Sequence, residues 1–295
     1  MILKNSVVTI GSFDGVHKGH QVILNKLVDI ATKYNLKSIV IAFEIPVKHV
    51  DGLITTPKEK INILSEYNIN KIIILPVNKK VISITADKFF EDILIKQLKT
   101  KHIVVGYDCA FGKDRQGNIS WLKEKVKKYN IKLTVIKPVK VNNEIVSSSK
   151  IRNLLKKNKI EIVNKMLQRK FEITGPHISG NKIGRTLGFP TLNIDVDKNK
   201  LLPMGVYSCK VVCKNKEYLG VLNIGIRPTI NLKKHFRSVE VHLINFKGIW
   251  KQKQINSYPD KFIRKEQKFE SLDMLKLFIQ KDIECVLKNQ HKKKE

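Results

Sequence analysis

The chain is poor in the residue types on which cross-linked, membrane-spanning or acidic proteins depend. Four cysteines in 295 residues, Cys109, Cys209, Cys213 and Cys285, show no CxxC spacing and lack the density of a disulfide-built secreted domain. Reduced thiols in a cytoplasmic protein are therefore expected. Cys209 and Cys213 stand four apart in a segment of strand character, a poor arrangement for a metal pair. No run of about 18 apolar residues occurs, which argues against a spanning helix. Strand-forming residues begin by Val7, without the apolar core and cleavage site of a signal peptide.

Acidic residues are also scarce. The 26 Asp and Glu stand against 56 Lys and Arg, a formal net charge of +30. The excess is spread along the chain; the only dense basic run is the tail at 292–294. Such a balance permits binding of nucleic acid through its phosphates and suits nucleotide substrates. A general bias toward Lys, Asn and Ile, with lysines on solvated helix faces, is the favoured explanation. No recognition-helix motif, zinc-finger spacing or aromatic RNP-like stretch supports a nucleic-acid role.

What is present is apolar residue enough for real cores, 42% of the chain, over a length that allows two domains of about 100–200 residues each. The first half is organised around residues 7–20, VVTIGSFDGVHKGH. Val7, Val8 and Ile10 form strands readily, Gly11 and Gly15 allow a sharp turn, and Leu24, Leu27, Val28 and Ala31 then recur at helical spacing. A helix starting near His17 points its unpaired N–H groups at whatever lies above the strand, which suits a triphosphate. His17 and His20 share one helix face and can donate hydrogen bonds to phosphate oxygens as charge develops on phosphorus. Two surface histidines after a glycine loop are the plain alternative.

Further strands are predicted at 37–43, 71–75, 101–105 and 131–136, and helices at 58–67, 86–98 and 120–129. This alternation implies a parallel sheet with helices on both faces, whose ligands lie beyond the carboxyl ends of the strands. Two more loops occupy such places. Residues 106–117, GYDCAFGKDRQG, hold Asp108, Lys113 and Arg115. Residues 146–155, VSSSKIRNLL, can cap a helix with serine, and Ser149 and Arg152 are spaced to reach one anion at its N-terminus.

After a short helix at 160–167 the character changes near residue 168. Short alternating segments at 171–175, 191–194, 206–212, 217–224 and 238–244, broken by Gly and Pro, predict a small antiparallel barrel or sandwich. A closing helix at 272–287 carries the stripe Leu272, Leu275, Ile279, Ile283, Val286. Within this half, residues 180–193 read GNKIGRTLGFPTLN. Gly180, Gly184 and Gly188 make a flap able to approach a nucleotide, and Lys182 and Arg185 can meet its phosphates. Thr191 and Asn193 face one side of a strand, and their oxygens suit Mg²⁺ shared with phosphates. Glu240 alternates with valines in VEVHL and can equally be a solvated strand residue.

The GSFDGVHKGH stretch resembles the HxGH nucleotidyltransferases, in the GxFDGxHxGH form of bacterial FAD synthetases. Gly106, Asp108, Phe111 and Gly112 fit that family's GxDFxFG loop, with Cys109 where an aromatic is usual; Ser147, Ser148, Ile151 and Arg152 fit its ISSTxIR element, with Ser149 for Thr. The TFxPHP element is altered: Ala42 to Val47 align, with Pro46 at the His position and His49 three residues beyond. The second half resembles riboflavin kinases through GRxLGFPTAN, with Leu192 for Ala, VEVHL, GIRPT and RKEQKF.

The order of motifs is that of the bifunctional bacterial riboflavin kinase and FAD synthetase family. The resemblance implies a Rossmann-like α/β nucleotidyltransferase domain over 1–168, followed by an antiparallel β-barrel kinase domain with a C-terminal helix over 169–295. It implies ATP-dependent phosphorylation of riboflavin to FMN, then adenylyl transfer to FMN giving FAD and pyrophosphate. The catalytic residues implied are His17, His20 and Arg152 for the second step and Glu240, as base, for the first. ATP contacts are expected from Gly11, Ser12, Phe13, Asp14, Gly15, Ser148, Ser149, Gly180, Lys182, Gly184, Arg185, Thr191 and Asn193. Flavin contacts are expected from Asp108, Phe111, Arg227 and Arg264, and Mg²⁺ from Thr191 and Asn193. The expected partners are ATP, riboflavin and FMN, with no specific nucleic acid and no membrane; a monomer is compatible. A kinase with a degenerate first domain, or a basic nucleic-acid-binding protein, are the alternatives.

Overall fold

The structure, a computed structural model, describes residues 5–47, 50–180, 183–214, 216–227 and 236–291. The chain divides into two compact units, Met1–Lys150 and Ile151–Glu295.

The first unit runs β1 (Ser6–Gly11), α1 (Lys18–Lys33), β2 (Lys37–Phe43), α2 (Pro57–Ser65), β3 (Lys71–Leu75) and the short α3 (Lys79–Ile82). One turn, α4 (Ala86–Lys88), runs directly into wider helical turns over Phe89–Gln97. Then follow β4 (Thr100–Gly106), a small hairpin of β5 (Ala110–Phe111) and β6 (Gly117–Asn118), α5 (Ile119–Lys128), β7 (Lys132–Ile136), and a hairpin of β8 (Lys140–Val141) and β9 (Glu144–Ile145). The five long strands form one parallel sheet in the order β3-β2-β1-β4-β7. Successive strand residues feed opposite cores. Val8, Ile10, Ile39 and Ile41 pack with Phe89, Phe90, Leu94 and Leu122, while Val7, Val40 and Ala42 pack with Leu24, Leu27 and Leu64. Burial on both faces is why these strands read as unbroken apolar runs.

Helix α6 (Ser148–Lys156) spans the division, and α7 (Ile160–Leu167) belongs to the second unit, where it packs on the barrel. The barrel strands are β10 (Ile173–Ile178), β11 (Thr191–Ile194), β12 (Gly205–Cys213), β13 (Lys216–Arg227), β14 (Phe236–Leu243) and β15 (Gln254–Arg264), with the one-turn α8 (Ile183–Thr186) in the glycine flap and α9 (Leu272–His291) closing the chain. They close in the order β10-β11-β14-β13-β12-β15, with every pair antiparallel. The expected barrel or sandwich is thus a barrel.

Strand β15 has no counterpart among the expected segments, because Pro259 interrupts it. The ladder tolerates that proline: opposite it the register shifts between Ser208 and Cys209. On α9, Ile279, Ile283 and Val286 pack against Val206, Leu219 and Val221, but Leu272 is 59% exposed, so the apolar stripe buries only beyond its first turn.

Candidate functional site

In the first unit the turn after β1 has φ values of 48° at Phe13, 85° at Gly15 and 37° at Val16. The turn closes on itself, the Val16 N–H donating to the Phe13 carbonyl at 3.1 Å. His17 caps α1: its Nδ1 accepts from the His20 N–H at 3.4 Å, so the neutral ring carries its proton on Nε2. The two imidazoles stack with centroids 3.7 Å apart and planes 14° from parallel, and Phe13 lies against His20 at 5.1 Å. His17 is buried and His20 half-buried.

A second layer holds this turn in place. The Asp14 carboxylate, fully buried, accepts from the Ile54 N–H at 3.1 Å, the Thr55 N–H at 3.0 Å and the Thr55 hydroxyl at 3.2 Å. Its side chain is therefore engaged inside the protein. Gly15 donates to Thr55 Oγ1 at 2.9 Å, and a Cβ there would lie 3.0 Å from Ile54. Ser148 donates to the Asp14 carbonyl at 2.9 Å, which brings the start of α6 onto the turn. Ser147 caps α6 by accepting from the Lys150 N–H, Ser149 is exposed, and half-buried Arg152 stands one turn beyond Ser148 on the same helix face.

Beyond β4, Asp108 is exposed, whereas Phe111 is 2% exposed and packs against Phe89 and Trp121. Phe111 thus shapes the loop from the core and presents no ring at the surface. Burial pushes the Cys109 thiol, and that of Cys209, up to about 12, which keeps both protonated.

In the second unit, antiparallel register places Asn193, Glu240 and Asn223 side by side across β11, β14 and β13. Thr191 donates to Glu240 Oε2 at 3.3 Å and Ser238 to Oε1 at 2.9 Å, so the carboxylate is fixed between two hydroxyls. The flap lies directly on this row, since a Cβ at Gly180 would come within 2.3 Å of the Asn193 amide. Gly184 closes the flap against the Phe189 carbonyl, and Arg185 is exposed. Lys182 and His49 lie outside the described residues, as does the Arg227 side chain; the Arg227 backbone ends β13.

Arg264 is held within the unit. Its guanidinium grips Asp282 through two bonds of 3.0 and 2.8 Å and lies over the rings of Phe269 and Phe278, each 5.5 Å away. Sequence reading also missed Ser238, which bonds the carboxylate, and Lys60, which lies under the first turn; neither belongs to a recognisable motif. Among the described residues no group of three His, Cys, Asp or Glu gathers to hold a metal, and no helix is long and apolar enough to cross a membrane.

Residues 1–150 match the model of the FAD synthetase family and residues 167–289 that of riboflavin kinase. A bifunctional riboflavin kinase/FMN adenylyltransferase of Buchnera aphidicola subsp. Schizaphis graminum is 43% identical, over 97% of this chain and 95% of its own. The protein of that description from Escherichia coli K12 is 32% identical, over 94% and 90% of the two chains. A crystal structure described as a macrolide-efflux protein from Streptococcus pneumoniae matches with TM-score 0.84 and 28% identity, over 96% of this chain and 94% of that one. With both family models matched in order and relatives similar over nearly their whole length, this chain belongs to the bifunctional riboflavin kinase/FMN adenylyltransferase family.

Proposed function

We propose that the Glu240 row phosphorylates riboflavin and that the paired imidazoles at the head of α1 support transfer of an adenylyl group to the FMN so formed. The chain is a transferase of flavin cofactor synthesis, using ATP in both steps. The observation that carries the assignment of residues is the geometry of two polar clusters: the stacked imidazoles at the head of α1, and the Glu240 carboxylate fixed between two hydroxyls on the barrel wall.

In the first reaction Glu240 accepts the proton of the ribityl 5′-hydroxyl while that oxygen bonds to the γ-phosphorus of ATP and ADP departs. The two hydroxyls on its carboxylate hold it in one orientation. Thr191 and the Asn193 amide oxygen offer hard donors on one face of β11 and fit Mg²⁺, which when bound neutralises phosphate charge. The flap around Gly180, with Lys182 and Arg185, covers the nucleotide.

In the second reaction an FMN phosphate oxygen bonds to the α-phosphorus of ATP and pyrophosphate leaves. The nucleophile is already an anion, so the protein supplies placement and charge stabilisation rather than a base. His17 and His20, the turn at Gly11–Gly15, Ser148, Ser149 and Arg152 take that role, with Asp108 beside the flavin. Residues 1–168 serve this step and 169–295 the first, in a cytoplasmic protein that needs neither a membrane nor a specific nucleic acid.

Incubating the purified chain with riboflavin, ATP and Mg²⁺ and following FMN and FAD by chromatography tests the whole. FMN followed by FAD is the expected course. A second reading, kinase activity alone, draws on Pro46 standing where the family's altered element has His; accumulation of FMN with no FAD from added FMN and ATP would select it.

A further inference from the structure

Beneath the first turn lies a charged group for which the two reactions name no use. Lys60, on α2, is 1% exposed, and its ammonium donates to three backbone carbonyls: Ser12 at 2.8 Å, Phe43 at 2.6 Å and Glu44 at 3.1 Å. Ser12 follows β1 directly, and Phe43 closes β2, its neighbour in the sheet. One ammonium therefore joins the exits of two adjacent parallel strands, the edge at which such sheets hold ligands.

Three carbonyls require three hydrogens, which the ammonium has and the neutral amine lacks. Burial brings the Lys60 pKa down to about 8, against the attraction of Asp14 on the turn and Glu44 after β2. The ammonium supplies donors to three carbonyls of the sheet edge, at the cost of taking a charge out of water. Under a site that receives polyphosphate the same charge is useful, because it acts across a dry interior where field is weakly screened. The surroundings are built to hold it. The Thr56–Glu59 capping box starts α2, and Ile54 and Thr55, just before it, bind the Asp14 carboxylate.

We propose that Lys60 is a positioning residue for adenylyl transfer: its ammonium holds the Ser12 carbonyl so that the turn's backbone and both imidazoles address one anion, and it adds positive charge beneath that anion. This rests on the reading that the turn receives ATP, and the experiment separates the two.

The full-length chain is assayed for both reactions with Lys60→Met, Lys60→Arg and His20→Ala. Lys60→Met is expected to lower kcat/KM for ATP in adenylyl transfer by about a hundredfold, with riboflavin phosphorylation unchanged and Lys60→Arg recovering part of the loss. In the unaltered protein, kcat/KM of adenylyl transfer falls as pH rises through about 8, because deprotonation removes a donor and a charge; the kinase reaction of the same chain lacks that inflection. A folded Lys60→Met protein with full adenylyl transfer overturns the proposal. Should that variant lose its first unit, a flat pH profile of the unaltered protein overturns it instead. An active His20→Ala protein would sink the reading of the site, whereas inactive His20→Ala beside active Lys60→Met sinks the role of Lys60 alone.

Discussion

The two units handle phosphate by different physics. The first places a turn, a helix entrance and two imidazoles on a sheet buried on both faces, and braces the turn from behind through Asp14, Ser148 and Lys60. The second fixes a carboxylate between two hydroxyls on a barrel wall and lays a glycine flap over it. The difference follows the nucleophile. A phosphate oxygen needs to be placed beside another phosphate against repulsion, so the first unit collects donors and positive ends of dipoles. A hydroxyl needs to lose a proton, and on the proposed reading Glu240 in the second unit is the base that takes it. Each fold supplies what its step requires: parallel strands gather their exits at one edge, and a barrel sets neighbouring side chains into cross-strand rows.

The sharpest way to break this comparison is Glu240→Gln. It keeps the shape and removes the base, so FMN formation should fall by about a thousandfold while added FMN is still converted to FAD; a fully active variant would take Glu240 out of the mechanism. His20→Ala is the mirror experiment, with adenylyl transfer expected to drop by about a hundredfold and riboflavin phosphorylation untouched. Equal loss of both would mean that the two clusters do not work separately. Asp14→Ala addresses the bracing: losing a buried carboxylate that accepts from two backbone amides and a hydroxyl should destabilise the first unit by roughly 2–3 kcal/mol, read as an earlier melting transition with kinase activity retained. The smallest effect is expected from Gly180→Ala. Its new methyl must displace the Asn193 amide, and the KM for ATP in the kinase reaction should rise by about tenfold without change in adenylyl transfer.

Much of this was legible in the chain because its signals are local. Apolar runs at 37–43 and 71–75 mark strands buried on both faces, and β2 and β3 occupy those residues. The alternation at VEVHL puts Glu240 on one face of β14, and register then sets it beside Asn193. Other features depend on partners far away in sequence. Phe111 has the look of a loop aromatic, yet its ring belongs to the core with Phe89 and Trp121. Arg264 reads as a basic residue ready for a ligand, but Asp282, eighteen residues on, takes its guanidinium. Strand β15 was hidden by Pro259, since only its partner strand can shift register to accommodate a missing donor.

By itself the sequence determined the two fold classes and their order, because periodicity, glycine placement and motif spacing are properties of neighbours along the chain. Only the tertiary structure decided which charged groups remain available to a ligand and which brace the scaffold. Asp14, Arg264 and Lys60 are settled by bonds to residues 16 to 48 positions away, and no local pattern encodes which distant carbonyl or carboxylate will meet a given side chain when the chain closes.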